Sequence, residues 1–141
     1  MTKIDWCLEQ KKGIVMQEPN ERLYKSYLHE ADYNLIQLQK IEGKLQVVLG
    51  YYACYSAGYA LLCRAGIKCE IHDCTLALLS HLPSLSKYSS RLTNLKNDRI
   101  AVQYYLKEKT LDLPLVKEFV NSVKLVSADE LALLLEVCHG N

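Results

Sequence analysis

The chain has 141 residues, half of them hydrophobic and 23% charged, with a formal net charge of +1. That length builds one domain around one core, and the charge excludes the global basic field of a free-standing nucleic-acid binder. Three prolines and six glycines leave little room for strands and turns, so an all-α fold is expected.

The opening residues MTKIDWCLEQKKG are charged throughout and lack the apolar run of a signal peptide. That predicts a cytoplasmic protein, and six cysteines in such a chain predict reduced thiols. Residues 3–12 read as a short amphipathic helix with Ile4, Trp6 and Cys7 on its apolar side, closed by Gly13. Residues 1–19 are an N-terminal extension of a single domain spanning 1–141. Asn20 is the N-cap of the next helix. Its apolar seam is Tyr24, Leu28, Ala31, Leu35 and Leu38, and it runs to Gly43.

A tyrosine-rich helix over 45–65 follows. Tyr51, Tyr55 and Tyr59 recur every four residues and form one stripe. Ala53, Ala57, Gly58 and Ala60 between them let a second helix approach closely. Gly66 is the expected left-handed stop. A shorter helix runs from His72 to His81 with Leu76, Leu78 and Leu79, and Pro83 ends it.

The next helix carries Tyr88, Leu92, Leu95, Val102 and Leu106 on one stripe, and Arg99 fills the position where that series asks for an apolar side chain. Asp112 and Pro114 begin a further helix with Val116, Phe119, Val120 and Val123 inward. Ser127 to Glu130 reads as a capping box before a last helix ending at Gly140, with Leu131, Leu134, Leu135 and Cys138 for packing. No strand, internal repeat or linker is expected, which points to one helical bundle.

Four groups of residues could carry chemistry. Arg99 is a cation on an apolar stripe, which is costly unless it meets an anion, a cleft or a partner. The bland alternative is a snorkelling side chain or a structural ion pair with a glutamate. His72 and Asp73 open a helix; Asp73 suits the positive end of the helix dipole, and His72 can act as ligand or proton carrier. Tyr51, Tyr52, Tyr55, Tyr59, Tyr104 and Tyr105 can stack on bases or fill core. Cys69, His72, Cys74 and Cys63 lack the paired knuckles of structural zinc sites, so neither metal nor cofactor is expected, and Cys7, Cys54 and Cys138 are read as small buried hydrophobes. No phosphate loop, dinucleotide glycine motif or nucleophile elbow is present.

The run YYACYSAGYALLCRAGIKCEIHD, followed about 25 residues later by DRIAVQYYL, resembles the HEPN domain family (higher eukaryotes and prokaryotes nucleotide-binding). The matching elements are Tyr51 to Leu62, Gly66-Ile67, His72, and Arg99 to Tyr105, with Ala101 one position earlier than the family pattern asks. The resemblance covers roughly residues 20–125. The opening segment IDWCLEQKKGIVMQEPN is similar to small prokaryotic members, many of them archaeal.

The resemblance implies an up-and-down four- or five-helix bundle that forms a homodimer. It also implies an active-site arginine followed four to six residues later by a histidine, used by metal-independent RNases and by toxins paired with a small nucleotidyltransferase. Arg99 matches the arginine. No histidine follows it within two helical turns; Gln103 cannot titrate, and a phenol, the group Tyr104 would offer, ordinarily titrates near about 10, far from neutral pH. The expected function is therefore binding of a nucleotide or RNA phosphate in a dimer cleft by Arg99, Gln103, Tyr104, His72, Asp73 and Tyr55, with a nucleotidyltransferase as a further partner and no membrane. The alternatives are an RNase that uses His72 or Tyr104 as its second group, and a purely structural subunit.

Overall fold

The computed structural model describes residues 1–139, so the expected stop at Gly140 lies outside the described residues. Seven α-helices make up most of the chain: α1 (Lys3–Glu9), α2 (Glu21–Leu38), α3 (Leu45–Ala65), α4 (His72–Leu79), α5 (Ser89–Tyr105), α6 (Leu113–Lys124) and α7 (Ala128–His139). The tyrosine-rich helix α3 is central and packs against α2, α4, α5, α6 and α7. Its small residues are why. Ala53, Ala57 and Ala60 are fully buried, and a Cβ on Gly58 would lie 2.4 Å from the side chain of Leu79 on α4. No helix among the described residues is long and apolar enough to cross a membrane.

Local signals set most helix ends. The Asn20 side chain accepts from the backbone N–H of Leu23 at 2.9 Å, and Asp112 accepts from Leu115 at 3.2 Å. Gly66 ends α3 with φ 87°, the left-handed conformation that glycine adopts without strain. Other ends differ from expectation. The first helix stops at Glu9, three residues early, with Gln10 extended. Trp6 is 38% exposed, and the ammonium of Lys3 lies over its ring. The second helix stops at Leu38 rather than Gly43. Leu106 does not continue the α5 stripe; it ends the helix at φ 54° and is 76% exposed. Ser127 accepts from the N–H of Glu130, but the Glu130 carboxylate turns to the backbone and hydroxyl of Ser84, so only half of the capping box forms.

Two expectations are overturned. Short strands do form: β1 (Val15–Met16) pairs antiparallel with β2 (Ile67–Lys68). The N–H of Gln17 donates to Gly66, that of Asn20 to Cys63 and that of Glu70 to Lys12, so residues 12–20 lie along residues 63–70. Periodicity cannot reveal so short a ladder. The expectation of six reduced thiols also fails, because Cys7 on α1 and Cys74 on α4 form a disulfide. Both are completely buried where α1 packs on α4. Compartment arguments from cysteine usage are blind to such a contact.

Candidate functional site

The candidate site lies where α3, α4 and α5 meet. Leu92, Leu95 and Val102 bury the inner stripe of α5, and this carries Arg99 inward until it is only 8% exposed. Its guanidinium carbon lies 4.8 Å from the ring centre of Tyr51 and 5.6 Å from that of Tyr52, within cation–π range. One terminal nitrogen donates to Gln103 Oε1 at 3.1 Å. Nε is buried with no hydrogen-bond partner. Among the described residues no carboxylate pairs with Arg99; its neighbour Asp98 pairs instead with Lys109 at 3.7 Å. Arg99 therefore neither snorkels nor makes the structural ion pair of the bland reading.

His72 opens α4 directly after the extended residue Ile71. Its Nδ1 lies 2.7 Å from the Tyr51 hydroxyl. Its ring stacks on Tyr55 with centroids 3.9 Å apart and planes 20° from parallel. Burial, then the charges of Arg99 and Lys96, hold His72 below the ordinary imidazole range, opposed by Asp73. The imidazole is thus neutral at pH 7. Burial pushes the Tyr51 and Tyr55 phenols well above their ordinary values, so both stay protonated. The Tyr55 hydroxyl meets Thr75 Oγ1 at 3.1 Å.

Asp73 lies in the first turn of α4, at the positive end of its dipole, and makes no capping hydrogen bond. It pairs with Lys96 on α5, and that contact holds its carboxyl below the usual range against the effect of burial. Tyr104 is 68% exposed and takes no part in the cluster. Of the residues expected from sequence, the fold thus brings together Arg99, Gln103, His72, Asp73 and Tyr55, and leaves Tyr104 out. Sequence reasoning missed Lys96 and Thr75. Lys96 stands three residues before Arg99, on the same face of α5, which was the available signal.

The arrangement is a buried guanidinium with spare donors, a nearby ammonium and a neutral imidazole. It suits an anion with several acceptor oxygens. It offers little to a metal: Cys74 is locked in the disulfide, and no group of three or more His, Cys, Asp or Glu among the described residues could hold an ion. Comparison with known proteins finds no matching family model, no matching curated protein and no matching solved structure.

Proposed function

We propose that the chain is a HEPN-like helical module that holds the phosphate of a nucleotide or RNA at Arg99, in a cleft completed by a second copy of the chain. One observation carries this reading. Arg99 is 8% exposed, lacks a carboxylate partner among the described residues and has a buried, unpartnered Nε. A desolvated cation in that state gains charge-assisted hydrogen bonds when an oxyanion arrives. Helices α2, α3, α5 and α6 form the four-helix bundle in this reading, with α1, α4 and α7 flanking it. Tyr104, Tyr105 and Leu106, at 68%, 69% and 76% exposure, leave the end of α5 uncovered; this supports a homodimer or a seat for a small nucleotidyltransferase of a toxin–antitoxin pair.

Calorimetric titration with nucleoside monophosphates tests the reading. Arg99→Ala should abolish binding, and Arg99→Lys should restore it poorly, since an ammonium lacks the planar two-pronged contact. Unchanged affinity in Arg99→Ala would refute it. A second reading, a metal-independent RNase, draws on the position of His72, a neutral imidazole joined to Arg99 through Tyr51 and able to act as a general base. Cleavage of RNA in the presence of a chelator, lost on His72→Ala, would support it over simple binding.

A further inference from the structure

The tyrosine stripe of α3 continues past the Arg99 cluster into a cleft of about 260 Å3, lined by Tyr27, Tyr55, Tyr59, Cys69, Glu70 and His72. Three of its walls are rings held in place. Tyr55 and Tyr59 lie 18° from parallel with centroids 6.0 Å apart, and Tyr27 stands at 68° to Tyr59 with centroids 5.0 Å apart. The Tyr55 hydroxyl is held by Thr75, and the Tyr59 hydroxyl accepts from the backbone N–H of Cys69 at 3.1 Å. All three tyrosines are only half-buried, so these rings do not simply fill core.

Glu70 is the one carboxylate of the lining. Its backbone is pinned by the Lys12 carbonyl at 2.9 Å, yet no ion pair among the described residues includes its side chain. His72 is the wall shared with the Arg99 cluster. A fixed aromatic surface, a free carboxylate at its edge and a buried cation next door match the three parts of a nucleotide.

We propose that this cleft is a base-reading subsite that takes a guanine, packed against Tyr27 and Tyr59 and hydrogen-bonded to Glu70, with the phosphate at Arg99. The inference rests on the phosphate-binding reading above. Stacking on rings tolerates any base, so the choice falls to Glu70. A carboxylate only accepts. The guanine edge offers it two adjacent donors, N1–H and the 2-amino group. Adenine offers one amino group beside a ring nitrogen whose lone pair faces the carboxylate. Inosine keeps N1–H and lacks the amino group.

The test is calorimetric titration of the intact protein with GMP, IMP, AMP and ribose 5-phosphate. GMP should bind tightest, IMP about tenfold more weakly, and AMP more weakly still. Glu70→Gln should erase the preference for GMP over AMP. Tyr27→Ala should weaken GMP about tenfold and leave ribose 5-phosphate unchanged, while Tyr27→Phe should retain GMP binding. Equal affinity for all four ligands would overturn the subsite and leave phosphate binding at Arg99 standing. Binding of none of them would remove the phosphate reading and this inference with it. Electron-rich rings beside a carboxylate also suit an organic cation; saturation by tetramethylammonium that GMP does not compete away would overturn the assignment to a base.

Discussion

The Tyr51 hydroxyl and His72 Nδ1 meet at 2.7 Å across the seam between α3 and α4, and the same Tyr51 ring carries the Arg99 guanidinium on α5. One phenol thus joins two groups that lie 27 positions apart in the sequence. Tyr51 is 1% exposed, so it is framework and contact at once. Losing its hydroxyl changes the polar cluster while the ring, as phenylalanine, still fills the space.

Arg99→Ala should leave folding stability within about 1 kcal/mol of wild type. Loss of the ring contacts, worth about 2 kcal/mol for a desolvated cation, together with the Gln103 hydrogen bond, is offset by relief of a buried donor without a partner, which costs about 1–3 kcal/mol. Urea unfolding measures this. A loss of about 3 kcal/mol or more would reveal a buried carboxylate that Arg99 neutralises.

Acid should destabilise the fold through His72. Its folded pKa lies below the unfolded value near about 6.5, so the unfolded chain binds the extra proton more readily. The contribution is fully present above about pH 6.5 and is lost as pH falls below it towards the folded pKa. Arg99 and Lys96 on α5 and the neutral phenols of Tyr51 and Tyr55 on α3 face the ring; only Asp73 opposes the shift. Thermal melts between pH 7 and pH 5 should show a falling midpoint, with a shallower slope in His72→Gln. Asp73, whose folded pKa is lowered, contributes stability that is fully present above the unfolded value near about 3.9 and is lost only as pH falls below it, outside this window.

Removing the Cys7–Cys74 disulfide should cost about 4 kcal/mol, as expected for a bond between cysteines 67 positions apart. Cys7→Ser combined with Cys74→Ser avoids leaving a stray thiol. Denatured, unreduced protein should react with four equivalents of thiol reagent, at Cys54, Cys63, Cys69 and Cys138. Six equivalents would show that the bond is absent.

Gly66→Ala should destabilise by about 2–3 kcal/mol. The backbone sits at φ 87°, and an added Cβ would lie 2.6 Å from the carbonyl oxygen of Gln17, a backbone atom that cannot swing aside. A melting temperature unchanged from wild type would contradict the packing described here.

The central helix was legible in the sequence because four-residue spacing and interleaved small residues are local signals; so were the caps at Asn20, Gly66 and Asp112. Arg99 stood out because it breaks an otherwise apolar stripe, and the structure does carry it inward. The partners of the site were harder to see. Lys96 reaches Asp73 from another helix, and Thr75 meets Tyr55 across 20 residues, so no periodicity exposes either contact. Tyr104 failed as a candidate because it sits one position past Gln103, about 100° further round the helix. The strand pair and the disulfide both join the opening residues to the middle of the chain, and pairings of that range leave no mark in local pattern.

The strip formed by residues 12–20 has a consequence for how the molecule is handled. The carbonyls of Cys63 and Gly66, at the end of the central helix, are closed by donors from Asn20 and Gln17. Those donors are supplied by chain more than 40 positions earlier. The opening residues are therefore a lid on the exit of the buried helix. A shortened variant beginning near Glu21 would leave that exit open to water, free Cys74 from its tether and release the approach to His72. Trimming the front of the chain would therefore remove the Lys12–Glu70 hydrogen bond and the Cys7–Cys74 bond that flank the start of the helix carrying His72.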